Sequence, residues 1–197
     1  MLVISLNLLL RFVTLFILFV WWLYWAITEK KADVQIPKTK KEGSVVKQAF
    51  IRRMILRIVE GVMVLQVFGI SLLPFYNAII QIIGFFLVLI GFSIALSARK
   101  TLGSNWAHSY EYQVKKQQLL VMEGIYKTVR HPIYSGLCLV FIGGELVAQS
   151  YLFVVGILLF YSAYWQARAE EKLLTEHFGT IYKTYVLKSK MFIPYLW

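Results

Sequence analysis

Five apolar runs decide what this chain can fold into, because each approaches the length of about 20 residues that an α-helix needs to cross hydrocarbon. The first spans residues 2–27, and Trp21, Trp22, Tyr24 and Trp25 close it as the aromatic belt expected at a membrane interface. The second covers 54–73 and is closed by Pro74; the third covers 78–98. Only Phe75, Tyr76 and Asn77 follow that proline before the third run starts, so these two form an antiparallel hairpin. Runs at 133–148 and 151–166, each 16 residues, make a second hairpin around Gln149 and Ser150. Such short arms span either by extending into flanking residues or by thinning the bilayer. The expected fold is all-α: an integral membrane helical bundle of five transmembrane helices.

Composition supports this reading. Soluble domains are about half apolar and about a quarter charged, whereas this chain is 59% hydrophobic and 16% charged. That leaves too little polar surface to cover a soluble globule. At 197 residues the chain has no room for a helical bundle and a separate soluble enzyme domain. Whatever chemistry it performs must therefore lie on the helices and the loops between them. The first run is too long for a signal h-region and has no small-residue cleavage site, so it reads as a spanning helix. Cys138 is the one cysteine, which excludes an intramolecular disulfide and a multi-cysteine metal site; no metal is expected. In its apolar run it reads as a buried, inert thiol.

Charge sets the topology. Segment 29–57 holds nine Lys or Arg, 98–131 holds six and 167–197 holds five, together 20 of the 21. Loops 74–77 and 148–151 hold none. Arg11, the exception, is expected to snorkel to the outer interface. The positive-inside rule then puts the N-terminus outside and the C-terminus in the cytoplasm. The net charge of +11 is spread through juxtamembrane loops, which suits anionic headgroups and argues against nucleic acid. No obligate protein partner is evident. The Lys-rich stretch 29–44, with Pro37 and Gly43, reads as a cytoplasmic linker. Residues 1–77 are expected to form an N-terminal membrane region, and 78–197 the functional core.

The least membrane-like part of that core is 99–130, which ends on Arg130-His131-Pro132-Ile133-Tyr134-Ser135-Gly136. Pro132 lacks a backbone donor and suits the first turn of a helix, so Arg130 and His131 stand where the loop enters the fourth span. Free donors and the positive helix end there would favour a carboxylate or phosphate. The fifth span runs out into Arg168-Ala169-Glu170-Glu171. Hairpin geometry places Arg130, His131, Tyr134, Arg168, Glu170 and Glu171 at one membrane level. Adjacent residues on a helix point about 100° apart, so one glutamate is expected to face the hairpin and the other solvent or another helix. An inward carboxylate suits an ammonium or ribose hydroxyls, and Arg130 with His131 suits an anion. A zwitterionic ligand bearing a ribose would use both.

The Arg-His-Pro-Ile-Tyr-Ser-Gly run, followed after some 35 residues by Glu170-Glu171, resembles the signature of the isoprenylcysteine carboxyl methyltransferase family. That family groups with phospholipid N-methyltransferases among small membrane methyltransferases. The resemblance extends over 80–197. It takes in Leu102-Gly103 with Trp106, Glu123-Gly124-Ile125-Tyr126, Phe178-Gly179 with Tyr182 and Tyr185, and Phe192-Ile193-Pro194. It implies S-adenosylmethionine as methyl donor, S-adenosylhomocysteine as product, and a lipid-like or prenylated acceptor entering from the bilayer. By motif match Gly124, Tyr126, Arg130, His131, Pro132, Tyr134, Glu170 and Glu171 line the donor pocket. Members often place a substrate-carboxylate arginine just before the paired glutamates, and here Arg168 is the nearest residue to that place. Arg168 and Glu171 are therefore the expected catalytic residues.

Trp106, Phe141, Tyr161 and Trp165 are the aromatics available to line a lipid tunnel, with Trp106, Trp165 and Arg168 expected to touch the acceptor. Aromatics at an interface also serve as simple anchors. Arg57 and Glu60 are spaced for a local ion pair. Glu145 is either an intramembrane functional carboxylate or a solvated one near the outer surface. The leading function is methyl transfer to a prenylated-cysteine carboxylate, with phosphatidylethanolamine nitrogen or a small thiol as other acceptors. An NADPH-dependent sterol or enone reductase and a non-enzymatic lipid-binding or transport protein are the remaining classes.

Overall fold

The computed structural model describes residues 2–33, 43–70, 72–105 and 119–195. Its helices are α1 (Leu2–Asp33), α2 (Gly43–Phe68), α3 (Ala78–Leu102), α4 (Pro132–Val147), α5 (Val155–Phe178) and α6 (Thr180–Lys188). Short 3-10 turns occupy Gly103–Asn105, Gly124–Lys127 and Tyr151–Val154. Among the described residues there is no strand, only isolated bridges, and the all-α class holds. Three segments, Leu6–Thr28, Ala78–Leu102 and Tyr151–Phe178, are long and apolar enough to cross a membrane, and α4 is a shorter apolar helix. This is an integral membrane protein.

Several boundaries differ from expectation for identifiable reasons. α1 runs on to Asp33 and α2 begins at Gly43, so both ends of the expected 29–44 linker are helical; residues 34–42 lie outside the described residues. α2 stops at Phe68, ahead of Pro74, because Gly69 takes a φ of 127°. Its amide donates to Gln66 O at 3.0 Å and the next amide, of Ile70, to Leu65 O at 3.1 Å. This is the Schellman pattern that a glycine just past a helix end permits. α3 opens where the Asn77 carboxamide oxygen accepts from Ile79 N and Ile80 N at 3.0 and 3.1 Å, an N-cap. α5 continues beyond 166 to Phe178 as one helix, so the paired glutamates ride on a rigid extension of the last apolar run.

The chain divides into two compact units: Met1–Ile90 with Leu139–Gly156, and Gly91–Cys138 with Ile157–Trp197. In the first, Arg11 corrects the expectation of a snorkelling side chain. Its guanidinium donates to Gln66 O (2.9 Å), Val67 O (3.3 Å) and Ala148 O (2.8 Å). It thus satisfies carbonyls at the C-terminal ends of α2 and α4, where the helix dipole favours a cation. Glu145 is buried, and Gln66 Nε2 donates to its two oxygens at 3.0 and 2.8 Å. The solvated reading of Glu145 is therefore wrong; its carboxylate belongs to a closed polar network. Arg57 and Glu60 form the expected exposed ion pair at 2.9 Å, and Cys138 is a buried free thiol.

Candidate functional site

The second unit assembles around two short extended stretches. Residues before α4 pair in parallel with the segment after α6: Lys190 N donates to Thr128 O (2.8 Å), Arg130 N to Lys190 O (2.8 Å) and His131 N to Met191 O (3.0 Å). Ser135, one turn into α4, donates its hydroxyl to Phe192 O at 2.8 Å. α4 starts at Pro132, as the missing donor there requires. The amides of Arg130 and His131, expected to greet an anion, are instead occupied by the C-terminal strap.

Side chains converge on α5 from this frame. Arg130 Nε donates to Glu171 Oε1 at 2.6 Å, with side-chain exposures of only 8% and 11%. Arg130 Nη1 donates to Ser189 O at 2.5 Å and to Val186 O at 3.3 Å. A buried guanidinium needs both a counter-charge and acceptors for its remaining protons, and this one has them. His131 Nε2 lies 3.3 Å from Glu171 Oε1, and Nδ1 lies 3.5 Å from Glu170 Oε2. Tyr134 donates its hydroxyl to Glu170 Oε1 at 2.5 Å. Both glutamates therefore serve the cluster, contrary to the expected division between an inward and an outward carboxylate. The imidazole lies between them and takes one on each ring nitrogen. Tyr134 stacks on it at 5.6 Å and Phe192 lies at 5.9 Å.

Burial lowers the His131 pKa, but the hydrogen bonds and charges of Glu170 and Glu171 raise it more, leaving it above the ordinary 6.5. A raised folded-state pKa stabilises the fold fully below the ordinary value and loses that contribution as pH rises through the raised one. The melting temperature in detergent is accordingly expected to fall as pH climbs above 6.5. His131→Gln should flatten that slope, and an unchanged slope in the variant would exclude an imidazolium at this position.

Gly124 opens its 3-10 turn at a φ of 56°, and a Cβ there would meet Thr101 Oγ1 at 3.1 Å. Tyr126 is buried, its carbonyl accepting from the Tyr185 hydroxyl at 2.6 Å. Burial pushes the Tyr185 phenol up to about 12, so it stays protonated and able to donate that bond. The structure thus gathers Arg130, His131, Tyr134, Glu170 and Glu171 in one hydrogen-bonded cluster, with Pro132 buried beneath and Tyr126 tied to α6. Arg168 and Trp165 are not in it; both are exposed on α5. Trp106 lies outside the described residues. Sequence reasoning missed Ser189, whose neighbours Lys188 and Lys190 make it look like part of a basic tail. It also missed the pinning role of Ser135, although Ser135 stands inside the motif that opens α4.

An all-helical membrane protein with a buried Arg–His–Glu–Glu cluster between a helix start and a long helix is the class defined here. The profile of the phospholipid methyltransferase family matches residues 79–181. The chain belongs to that family. Its curated relatives include a probable protein-S-isoprenylcysteine O-methyltransferase of Oryza sativa subsp. indica, 28% identical over 59% of this chain and 62% of that protein. The Saccharomyces cerevisiae protein-S-isoprenylcysteine O-methyltransferase is 29% identical over 67% of this chain and 55% of its own length. The Xenopus laevis counterpart is 30% identical over 59% and 41%. The chain thus spans less than two thirds of these relatives. Among solved structures, a eukaryotic intramembrane Ras methyltransferase, isoprenylcysteine carboxyl methyltransferase, superposes with a TM-score of 0.52 at 22% identity. That match covers 78% of this chain and 50% of the other, and supports the fold.

Proposed function

We propose that this protein is an S-adenosylmethionine-dependent membrane methyltransferase acting on a lipidated acceptor, foremost the carboxylate of a prenylated cysteine. The observation that carries the proposal is the His131 imidazole held between Glu170 and Glu171, inside the segment matched by the family profile. To a zwitterionic donor with a ribose the cluster offers a carboxylate for the ammonium or the ribose, whereas the Arg130 guanidinium and both His131 ring nitrogens are already held by Glu170, Glu171 and main-chain oxygens. Glu170 is the less buried carboxylate, its side chain 24% exposed, and has the reach for an ammonium or ribose hydroxyls. Gly124, Tyr126, His131, Pro132 and Tyr134 are proposed as the walls, with Arg130 and Glu171 bracing them.

S-Adenosylmethionine, when bound, supplies a methyl group already activated on a sulfonium. A carboxylate acceptor is a nucleophile at neutral pH, so the chain need only align it and exclude water. Arg168, one turn after Trp165 and one turn before Glu171 on α5, is proposed to meet that carboxylate, with Trp165 and Trp106 beside the lipid chain. The family's description, phospholipid methyltransferase, supports a second reading, a phospholipid acceptor; were the acceptor a phospholipid amine, a proton would have to leave first. Glu170 is the carboxylate proposed to accept it. For the whole chain, five spans with the N-terminus outside and the cluster at the cytoplasmic face agree with the charge distribution, and 78–197 would carry the catalytic core.

Titrating the purified protein with S-adenosylhomocysteine should raise its melting temperature, since a ligand of the native state must do so. NADPH should not. Glu170→Ala should weaken S-adenosylhomocysteine by about tenfold or more, the loss of a charge-assisted hydrogen bond. Stabilisation by NADPH alone would replace this reading with a reductase, and a response to neither with a lipid-binding protein. Labelled-donor assays with prenylcysteine and with phosphatidylethanolamine then separate the two acceptors.

A further inference from the structure

α6 leaves α5 through the single residue Gly179, whose φ of 58° turns the chain sharply. Tyr182 and Tyr185 bury one side of α6 in the second unit. The rest of the segment is unlike a solvated surface: Ile181, one turn before Tyr185, is 60% exposed, Leu187, on the far side of the helix, 87%, and Tyr195, beyond the helix, 88%. Lys183, Lys188 and Lys190 stand exposed among them. Over 172–195 the exposed charges are Lys172, Lys183, Lys188 and Lys190 against Glu176 alone. Exposed apolar side chains interleaved with lysines, starting where a membrane-length helix ends, suit a segment lying in the headgroup layer. The lysines select lipid of negative charge.

The same segment forms the wall of the cluster. Lys190 and Met191 accept from the Arg130 and His131 amides, Lys190 N donates to Thr128 O, and Ser189 O accepts from the Arg130 guanidinium. We infer that residues 180–195 dock on anionic lipid headgroups, and that this docking holds the C-terminal strap against Arg130 and His131. The site is thereby tightened by the charge of the surrounding bilayer, whatever reaction it catalyses.

Three amides, of Arg130, His131 and Lys190, bond across strap and loop and report the docking directly. Hydrogen exchange would be followed at each in nanodiscs of phosphatidylcholine, with and without phosphatidylglycerol. Exchange at all three is expected to slow on the order of tenfold in the anionic discs and to lose most of that protection in about 1 M salt. The variant Lys183→Gln/Lys188→Gln/Lys190→Gln should exchange at one rate in both lipids, with amides in the middle of α5 unchanged throughout. Equal exchange of the wild type in both discs would overturn the inference, as would lipid dependence that survives the triple substitution. Protection by soluble polyglutamate but not by phosphatidylglycerol would overturn it in favour of an acidic protein partner. Because the assay contains no donor or acceptor, failure here leaves the methyltransferase proposal standing, and failure of that proposal leaves this one testable.

Discussion

Glu171→Ala is expected to destabilise the protein by about 3–5 kcal/mol and to abolish S-adenosylhomocysteine binding, because it strands a buried cation. Arg130 keeps its bonds to Ser189 O and Val186 O in the variant, but dipoles replace a full counter-charge at a side chain only 8% exposed. His131 loses the carboxylate at Nε2 at the same time. Glu171→Gln, which retains an acceptor but no charge, should fall between the variant and the wild type. The double substitution Arg130→Met/Glu171→Leu removes both charges and should recover much of the lost stability while still failing to bind the product. Thermal melts of the double variant, of Arg130→Met and Glu171→Leu singly, and of the wild type form a double-mutant cycle. A Glu171→Ala protein melting with the wild type would show that the pair does not brace the site. Glu170→Ala offers the contrast, since the more exposed carboxylate should change binding far more than stability.

Much of this site is legible in the sequence because its parts are short-range signals. Pro132 marks the helix start that sets Arg130 and His131, and the adjacent glutamates stand out against an apolar helix. What stays hidden depends on the third partner, the strap after α6, whose contacts to Thr128, Arg130 and His131 are backbone bonds. Any residue with an amide and a carbonyl can make those, so Lys190 and Met191 carry no signal. The same holds for Arg11: its type announces a charge in a membrane segment, but its acceptors are main-chain oxygens of Gln66, Val67 and Ala148. Helix ends mislead differently. Pro74 reads as the stop of the second run because proline is the stronger breaker, yet Gly69 ends the helix earlier through its positive φ. The exposed position of Arg168 follows from the helical phase of α5, which residue types in an interfacial segment do not fix.

Glycines recur at a spacing of seven, Gly84 with Gly91 and Gly136 with Gly143, and they carry the other large expected effect. In the first unit a Cβ on Gly143 would lie 2.5 Å from Gly84 O, 2.8 Å from Val88 N and 2.9 Å from Val88 Cγ2. In the second, a Cβ on Gly136 would lie 2.6 Å from Gly91 O and 2.9 Å from Ala95 N. These neighbours are mostly backbone, which cannot rotate away, so α3 and α4 must separate to admit even one methyl. Small residues that let backbones meet are a main source of helix association in lipid, where no hydrophobic force remains between helices. Overpacking a core costs about 1–3 kcal/mol when side chains can shift, and here they are not what must move. Gly143→Leu is therefore expected to yield no monodisperse folded protein in detergent, and Gly143→Ala a clearly lowered melting temperature. Gly61→Ala on α2 supplies the control: nothing lies within 4 Å of where its new methyl would stand, so its melt should match or exceed the wild type. If Gly143→Leu purified as a stable monomer with an unchanged melt, close α3–α4 contact would not be what holds the first unit together.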